Sequence, residues 1–392
     1  MSRQRKPSVQ ASQLQGFKYF SLLCPLLERL HDDGCGRDQA GNRLLFYDQY
    51  AALLLLYFFN PVLSSLRGLQ QATELDKVQK LLGVRRTSLG ALGEASRVFD
   101  PERLAGVAQE LAAQVVPAVL PKDREALRGL TAVDGSLLPA LPRMAWALWQ
   151  DPQHRAAKLH LHFEVARGVS VDAAVTPAND SEVQTLRDRL VPGRLYVLDR
   201  GYAAYRLLGD LLRARSSFIV RLQENAAYTV KQERPLSAAA RSSGVVRDVV
   251  ISRLGTDHHK DEVGQALRLV LVQTGKTNPD GSPHVLVLCT DLLDLDAELV
   301  ALGYRFRWSV ELFFRWLKQI LGLRHLIGGS LAGVTLQVYA ALIACLLITV
   351  WAGKKANKRT FEMFCFYFMG WATQEELLRH IERLQKAEED SS

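Results

Sequence analysis

Hydrophobic residues in the middle of the chain alternate with polar ones or form short uninterrupted runs, and both patterns predict β-strands. Residues 158–166 alternate, with Leu159, Leu161 and Phe163 on one side and charged or histidine residues on the other. The other predicted strands are short apolar runs bounded by glycine or turn residues: 131–134, 169–175, 195–199, 218–222, 227–231, 247–254, 267–273 and 285–289.

Other segments have the apolar spacing of helices. These are residues 47–58, 66–72, 76–82, 88–98, 182–190, 203–213 and 374–389. Residues 338–352 are almost wholly apolar but shorter than the roughly 20 residues that span a bilayer, which predicts a buried helix packed on the sheet.

We therefore expect five regions along the 392 residues. They are a helical N-terminal region (1–125), the first part of an α/β core (126–222), a β-rich insertion (223–290), the second part of the core (291–352) and a helical tail (353–392). Within the first region, residues 76–98 fit either a helix-turn-helix DNA reader or a plain helical bundle.

One predicted helix near the end of the core carries a narrow band of charged and aromatic side chains. Four residues spaced by three, four and seven positions fall within an arc of roughly 60°: Tyr304, Arg307, Glu311 and Lys318. Apolar residues fill the opposite side: Phe306, Val310, Phe313, Leu317 and Ile320. Such a helix fits a face that meets a polyanion and a metal ion, or an ordinary amphipathic helix with a solvated charged side.

Two aspartates at the ends of apolar strands supply further candidate acids. Asp134 ends residues 131–134, and Asp199 ends residues 195–199. Carboxyl ends of buried strands lie at the rim of the sheet, where open α/β folds place their sites. A single strand-end aspartate is commonly a turn or helix-cap residue. Two of them with Glu311 offer hard oxygen ligands suited to Mg²⁺ or Mn²⁺.

In these three acidic segments the chain resembles the Asp-Asp-Glu transposases of bacterial insertion sequences, specifically the IS4 group. The helix matches that group's signature Tyr-x2-Arg-x3-Glu-x6-Lys at all four positions. The strand ends match through Asp134-Gly135-Ser136 and Asp199-Arg200-Gly201-Tyr202, and residues 175–179 and 288–292 are also similar. The resemblance implies an α/β fold: an RNase H-like mixed sheet flanked by helices, interrupted by a β-rich insertion, with an α-helical N-terminal domain.

The resemblance also implies an activity and roles for individual residues. Asp134, Asp199 and Glu311 would be catalytic and would hold Mg²⁺ or Mn²⁺, as two ions. Metal-dependent cleavage at insertion-sequence ends and strand transfer into target DNA would follow a cut-and-paste route through a hairpin. The residues implied to contact DNA are Tyr304, Arg307, Lys318, Arg315, Trp308, Arg200 and Tyr202. The partners would be double-stranded DNA (inverted-repeat ends and target) and a second copy of the chain.

Charge and cysteine content fit this reading. The chain carries 49 Lys+Arg against 41 Asp+Glu, a net charge of +8, which is compatible with a phosphate-bearing partner. Arg3, Arg5 and Lys6 predict a short basic arm. Five well-separated cysteines without a Cys-x2-Cys pair favour a reducing compartment over a disulfide framework or a zinc site. No secretory signal is recognised, so we expect a cytoplasmic, nucleoid-associated protein without a membrane span.

Other functions fit parts of the pattern. An inactive or domesticated relative would bind DNA without cutting it, a nuclease of the same fold would cut without joining, and a glycosidase would use paired carboxylates without metal. His160 and His162 share a strand face with Glu164 and could chelate a metal, although polar strand-face positions are the commoner role. His258 and His259 have no ligand spacing, and no ATP or dinucleotide fingerprint is present.

Overall fold

The computed structural model describes residues 20–32, 43–118, 120–151, 154–255, 263–323, 325–352 and 357–389. The predicted basic arm (Arg3, Arg5 and Lys6), Cys35 and the His258–His259 pair lie outside these residues. The cysteines within them are free and buried: Cys24, Cys289, Cys345 and Cys365.

Nine strands form one mixed sheet, and all nine predicted strands are present. They are β1 (Leu130–Pro139), β2 (Ala156–Glu164), β3 (Val169–Pro177), β4 (Leu195–Leu198), β5 (Ser217–Arg221), β6 (Tyr228–Glu233), β7 (Val245–Leu254), β8 (Leu267–Thr277) and β9 (Pro283–Thr290). Their order across the sheet is β3-β2-β1-β4-β5-β9-β8-β7-β6.

The centre of the sheet is parallel and its sides are antiparallel. β1 pairs with β4, and β4 with β5, in parallel, whereas β1–β2, β2–β3 and β5–β9 are antiparallel. This order of the first five strands, with helices on both faces, is the predicted RNase H-like arrangement, and the predicted α/β fold class is confirmed. The strands of the predicted insertion continue the same sheet, because β9 pairs with β5.

The described residues form fourteen α-helices. They are α1 (Phe20–Asp32), α2 (Tyr47–Phe59), α3 (Leu66–Ala72), α4 (Asp76–Leu82), α5 (Leu89–Val98), α6 (Pro101–Gln114), α7 (Glu182–Asp188), α8 (Tyr205–Arg213), α9 (Ala238–Ser242), α10 (Ala297–Arg305), α11 (Trp308–Arg315), α12 (Leu331–Ala352), α13 (Lys358–Phe368) and α14 (Gln374–Glu389).

Two hydrophobic cores lie on the two faces of the sheet, because successive strand residues point to opposite sides. Ala132 of β1 belongs to the larger core, which also contains Leu111 of α6 and Ile343 of α12. Its neighbour Val133 belongs to the smaller core, with Leu186 of α7 and Leu208 of α8. The site residues on β1 therefore lie between two packed layers.

Helix α12 is long and apolar enough by length and composition to cross a membrane, but 83% of its most apolar window is buried inside the protein. It contacts α2, α6 and β3. Its apolar surface is therefore covered by protein, as predicted for a core helix.

The helix predicted through residues 304–318 is not continuous, which corrects the sequence-based expectation. Helix α10 ends at Arg305, a turn occupies Phe306 and Arg307, and α11 then leads into a π-helical turn over Trp316–Ile320. The expected arc of roughly 60° assumed one uniform helix, but the four signature residues lie in four successive segments: α10, the turn, α11 and the π-helical turn. The expected apolar side is retained, since Val310, Phe313 and Leu317 are buried.

In the N-terminal region, a tight turn joins α4 to α5. Gly83 ends α4 with a φ of 62°, and the Ser88 hydroxyl accepts the backbone N–H of Ala91 at the start of α5. Arg85 and Arg86, in the connection, are exposed. Because α5 also packs on α3 and α12, both the DNA-reader and the bundle interpretations stay predictions.

Candidate active site

Asp134 and Asp199 occupy equivalent positions on neighbouring strands. Paired residues of β1 and β4 differ by 65 in number, as in Leu130 with Leu195 (195 − 130 = 65). The same offset separates Asp134 from Asp199 (199 − 134 = 65). Adjacent strands are about 4.8 Å apart, so the register brings both aspartates to one edge of the parallel part of the sheet.

Asp134 does not end its strand, contrary to the sequence-based expectation. β1 continues to Pro139 because its antiparallel partner β2 is long, whereas β4 ends at Leu198. Asp134 therefore lies where β1 loses its parallel neighbour. It is still at the rim, but on a strand that extends past the site.

Asp199 also serves as a cap. One of its carboxylate oxygens accepts the backbone N–H of Gly201 at 2.7 Å and begins a 3-10 turn over Arg200–Tyr202. Asp199 therefore caps the turn, as strand-end aspartates commonly do, and also belongs to the acidic site.

The Asp134 carboxylate is held in an environment that opposes its ionisation. Burial is the main effect that raises the pKa of Asp134 from 3.8 to about 7, and the charges of Asp199 and Glu182 raise it further. The backbone N–H of Gly135 and the charge of Arg307 act in the opposite direction and lower the pKa. The carboxylates of Asp199 and Glu182 therefore both act on Asp134. A nearby cation would relieve this repulsion.

Arg307 connects the third acid to the first. Its guanidinium donates to Glu311 Oε1 at 2.5 Å, and Nη1 lies 3.9 Å from Asp134 Oδ2. The side chain of Arg307 is only 15% exposed and that of Glu311 is 31% exposed. The Tyr304 ring lies 6.0 Å from the centre of the guanidinium. The structure thus places Arg307 beside Asp134, with Tyr304 and Glu311 held against Arg307.

Lys318 anchors the end of the helical segment to β1. Its ammonium group donates to Ser136 Oγ and to the carbonyl oxygen of Leu137, both at 2.6 Å. It lies in the π-helical turn, which adds a residue to the local winding and changes the direction of the side chain. The fourth signature residue therefore reaches the strand of Asp134 by an internal contact.

The other residues predicted to contact DNA differ in accessibility. Trp308 is 54% exposed, and Arg200 and Arg315 are exposed as well. Tyr202 is fully buried, so its side chain offers no surface for DNA in this structure.

The donor chemistry of the site fits a divalent cation, since Asp134, Asp199 and Glu311 supply hard oxygen ligands. In the described residues, no three His, Cys, Asp or Glu side chains lie close enough together to hold one ion as they stand. The guanidinium of Arg307 lies between Asp134 and Glu311. Arg307 therefore supplies the positive charge that lies next to both Asp134 and Glu311.

Sequence reasoning missed two neighbours of the acids, Glu182 and Ser136. Glu182 is only the first residue of the helix predicted over 182–190, and Ser136 appears only as part of the Asp134 segment. The signal in the sequence is weak, because each is ordinary for its local element. Only the packing of α7 and of the π-helical turn onto β1 gives them a place in the site.

Comparison with known proteins decides the family. The family model for the transposase DDE domain matches residues 125–347, more than half of the chain, including all three acids. The chain belongs to this family. The predicted kinship with insertion-sequence transposases is confirmed, whereas the narrower IS4 grouping stays a prediction.

Two relatives carry transposase names. The protein y4zB of Sinorhizobium fredii is 27% identical over 244 residues, which cover 62% of this chain and 66% of the relative. The transposase named for insertion sequence element IS5377 of Geobacillus stearothermophilus is 25% identical over 218 residues, covering 56% of this chain and 55% of the relative. The matches thus span between about half and two thirds of the relatives' lengths.

Among solved structures, one similar chain belongs to the piggyBac transposase synaptic complex with hairpin DNA. The TM-score is 0.43 and the sequence identity 10%, over 97% of this chain and 84% of that chain.

Proposed function

We propose that this protein is a DNA transposase of the IS4 group that cleaves the ends of an insertion sequence and joins them to target DNA. Family membership supports the DNA-cutting chemistry. The single observation that carries the assignment to this site is the register of β1 and β4, which brings Asp134 and Asp199 together, with Glu311 tied to Asp134 through Arg307. We further propose a cut-and-paste route through a hairpin.

The residues that would hold Mg²⁺ or Mn²⁺ are Asp134, Asp199 and Glu311. A bound pair of such ions activates a nucleophile and stabilises the leaving oxygen in phosphodiester chemistry. The chain itself contributes the scaffold: two strands fix the aspartates, and α11 brings Glu311 to them. The repulsion felt by Asp134 favours binding of a cation.

The cationic side chains would orient the DNA. Arg307 can grip a phosphate with two N–H groups, whereas Lys318 acts as a point charge. Lys318 also fixes its own helical segment to Ser136, so a phosphate bound there would be held at a set distance from Asp134. Exposed Trp308, Arg315 and Arg200 extend the proposed DNA surface. The remaining partners proposed are the inverted-repeat ends, target DNA and a second copy of the chain, in the bacterial cytoplasm.

The Glu311→Gln variant tests the assignment. Because Gln lacks the charge of the third acid, Mg²⁺-dependent cleavage of labelled end DNA should fall by about 1000-fold, equivalent to about 4 kcal/mol of activation free energy. Binding of end DNA, measured by gel shift, should remain. The control is Glu298→Gln in α10, whose carboxylate meets the hydroxyl of Ser237; it should cleave like the parent.

Equal cleavage by Glu311→Gln and the parent would refute the role of Glu311. DNA cleavage that survives EDTA would overturn the metal-dependent mechanism, whereas loss of activity in EDTA would exclude a metal-free glycosidase. A strand-transfer assay with target plasmid separates a transposase from a nuclease that cuts without joining, and end binding without cleavage by the parent would identify an inactive relative.

A further inference from the structure

A fourth carboxylate, that of Glu182, lies beside the acidic site. Glu182 is the first residue of α7, after Ser181, whose hydroxyl accepts the backbone N–H of Gln184. Its carboxylate lies against the backbone of Gly135, the residue after Asp134. The connection between β3 and β4 thus delivers an acid to the same rim as the two aspartates.

Gly135 makes room for this carboxylate. A Cβ atom built on Gly135 would lie 2.8 Å from Glu182 Oε1 and 3.3 Å from Cδ of Lys158. At 2.8 Å the carboxylate would have to move away, so the missing side chain is what allows Glu182 to approach the backbone next to Asp134. This steric requirement explains why the Asp134-Gly135-Ser136 segment has glycine at its second position.

Lys158 holds Glu182 in this position. Its ammonium group lies 3.2 Å from Glu182 Oε1 and donates to the carbonyl oxygen of Asp180 at 3.1 Å. The Lys158 side chain is only 13% exposed, and that of Glu182 is 33% exposed. The partly buried ion pair between Lys158 of β2 and Glu182 thus fixes the start of α7 against β1.

The Tyr202 hydroxyl is a second, independent indication of a polar site here. Tyr202 is completely buried, and its hydroxyl makes no well-formed hydrogen bond. The carboxylates of Glu182, Asp134 and Asp199 lie near it, and that of Glu182 approaches the hydroxyl as a hydrogen-bond partner. The buried hydroxyl of Tyr202 therefore faces the same three carboxylates, with Glu182 as the nearest partner, and it marks the point on which the three acids converge.

We propose that Glu182 is a positioning residue of the acidic site, which orients Asp134 and strengthens its binding of a divalent cation. The inference rests on the proposed metal-dependent function. Counting Asp134, Asp199, Glu182 and Glu311 against Arg307, Lys158 and Lys318, the site keeps one surplus negative charge, and neutralising Glu182 while Lys158 stays charged would remove it.

Mn²⁺ binding to the full-length protein, followed by electron paramagnetic resonance, tests the role. Glu182→Gln should weaken Mn²⁺ binding about tenfold, because it removes one charge within the Coulomb range of the cation. The matched control is Glu164→Gln at the far end of β2. It loses the same charge from a partly buried ion pair, here with Arg167, and should bind Mn²⁺ within about twofold of the parent.

Two further variants separate positioning from folding. Glu182→Asp keeps the charge and should recover part of the lost affinity. Gly135→Ala adds a methyl group that meets the flexible end of Glu182, so it should displace the carboxylate at little cost in stability. It should weaken Mn²⁺ binding to a similar extent, and the double variant Gly135→Ala/Glu182→Gln should be no weaker than either single variant.

Asp134→Asn distinguishes failure of this inference from failure of the proposed function. If Asp134→Asn lowers Mn²⁺ affinity while Glu182→Gln binds like the parent, the role of Glu182 is overturned and the metal site stands. If Asp134→Asn itself binds Mn²⁺ like the parent, the proposed metal site is overturned, and the inference about Glu182 with it.

Discussion

His160 and His162 on β2 show how far burial controls the chemistry of a single residue. Both are only 3% exposed. His160 pairs with the Thr176 hydroxyl at 2.9 Å, and the His162 ring meets Tyr196 edge to face. Burial lowers the pKa of each imidazole from 6.5 to about 4. In the described residues they belong to no metal-binding group, so we interpret both as neutral core residues.

These histidines predict a loss of stability in mild acid. Each histidine has a lower pKa in the folded protein than in the unfolded chain, so the unfolded chain binds a proton first as the pH falls. The folded state is therefore fully stabilised above about pH 6.5 and loses this stabilisation as the pH falls toward about 4. Each histidine should lower the free energy of unfolding by about 2 kcal/mol as the pH falls from 7 to 5. Urea unfolding of His162→Phe should show a pH dependence smaller by about that amount. The exposed control His154→Phe should keep the parent's dependence; equal pH dependence in His162→Phe would contradict the interpretation.

Individual elements are joined to the site by specific internal contacts. The buried Arg268 of β8 pairs with Asp248 of β7 through two hydrogen bonds, of 2.8 and 2.7 Å. The same guanidinium donates to the carbonyl oxygens of Leu292, Leu293 and Leu295, in the segment that leads into α10. The strands beyond β5 therefore hold the approach to the helix of Glu311.

Removing this arginine should be strongly destabilising. Arg268→Met leaves the buried Asp248 carboxylate with Arg234, whose Nε is 3.6 Å away. We expect a loss of about 3 kcal/mol of unfolding free energy. The double variant Arg268→Met/Asp248→Leu, which removes the buried carboxylate together with the buried guanidinium and leaves only the partly exposed Arg234, should recover much of that loss. A single variant as stable as the parent would show that the ion pair does not hold these strands.

The molecule as a whole is organised around α12, which lies on the sheet face opposite α7 and α8. Ile343, in its middle, is 1% exposed, whereas Leu331, at its start, is 40% exposed. With α2, α6 and β3 packed on it, this helix joins the N-terminal helices to the catalytic sheet. The chain's net charge of +8 favours nonspecific attraction to DNA.

A charge placed in the middle of α12 should prevent folding. Ile343→Arg buries an uncompensated cation, at a cost above about 4 kcal/mol, and should abolish the cooperative thermal transition seen by circular dichroism. Leu331→Arg, at the exposed start of the same helix, should unfold like the parent. A folded, detergent-dependent Ile343→Arg protein would contradict the core role of this helix.

Much of this protein follows from sequence alone. Alternation and apolar run length located all nine strands, because these patterns depend only on which side chains must be buried. The spacing of Tyr304, Arg307, Glu311 and Lys318 and the segments around Asp134 and Asp199 indicated the family, which the family model confirms, while the roles of the acids stay predictions. Local residue identity is enough for these inferences, since each depends on neighbours within a few positions.

Other features were decided only by tertiary structure. The common offset that aligns Asp134 with Asp199 arises from strand pairing, and the extension of β1 past Asp134 from the length of β2. The turn at Arg307 breaks a helix that the pattern predicted to be continuous. The places of Glu182 beside Gly135 and of Lys318 on Ser136 depend on how α7 and the π-helical turn pack against β1. Contacts between residues far apart in sequence are fixed by packing and hydrogen bonding across the whole fold, and no local pattern encodes them.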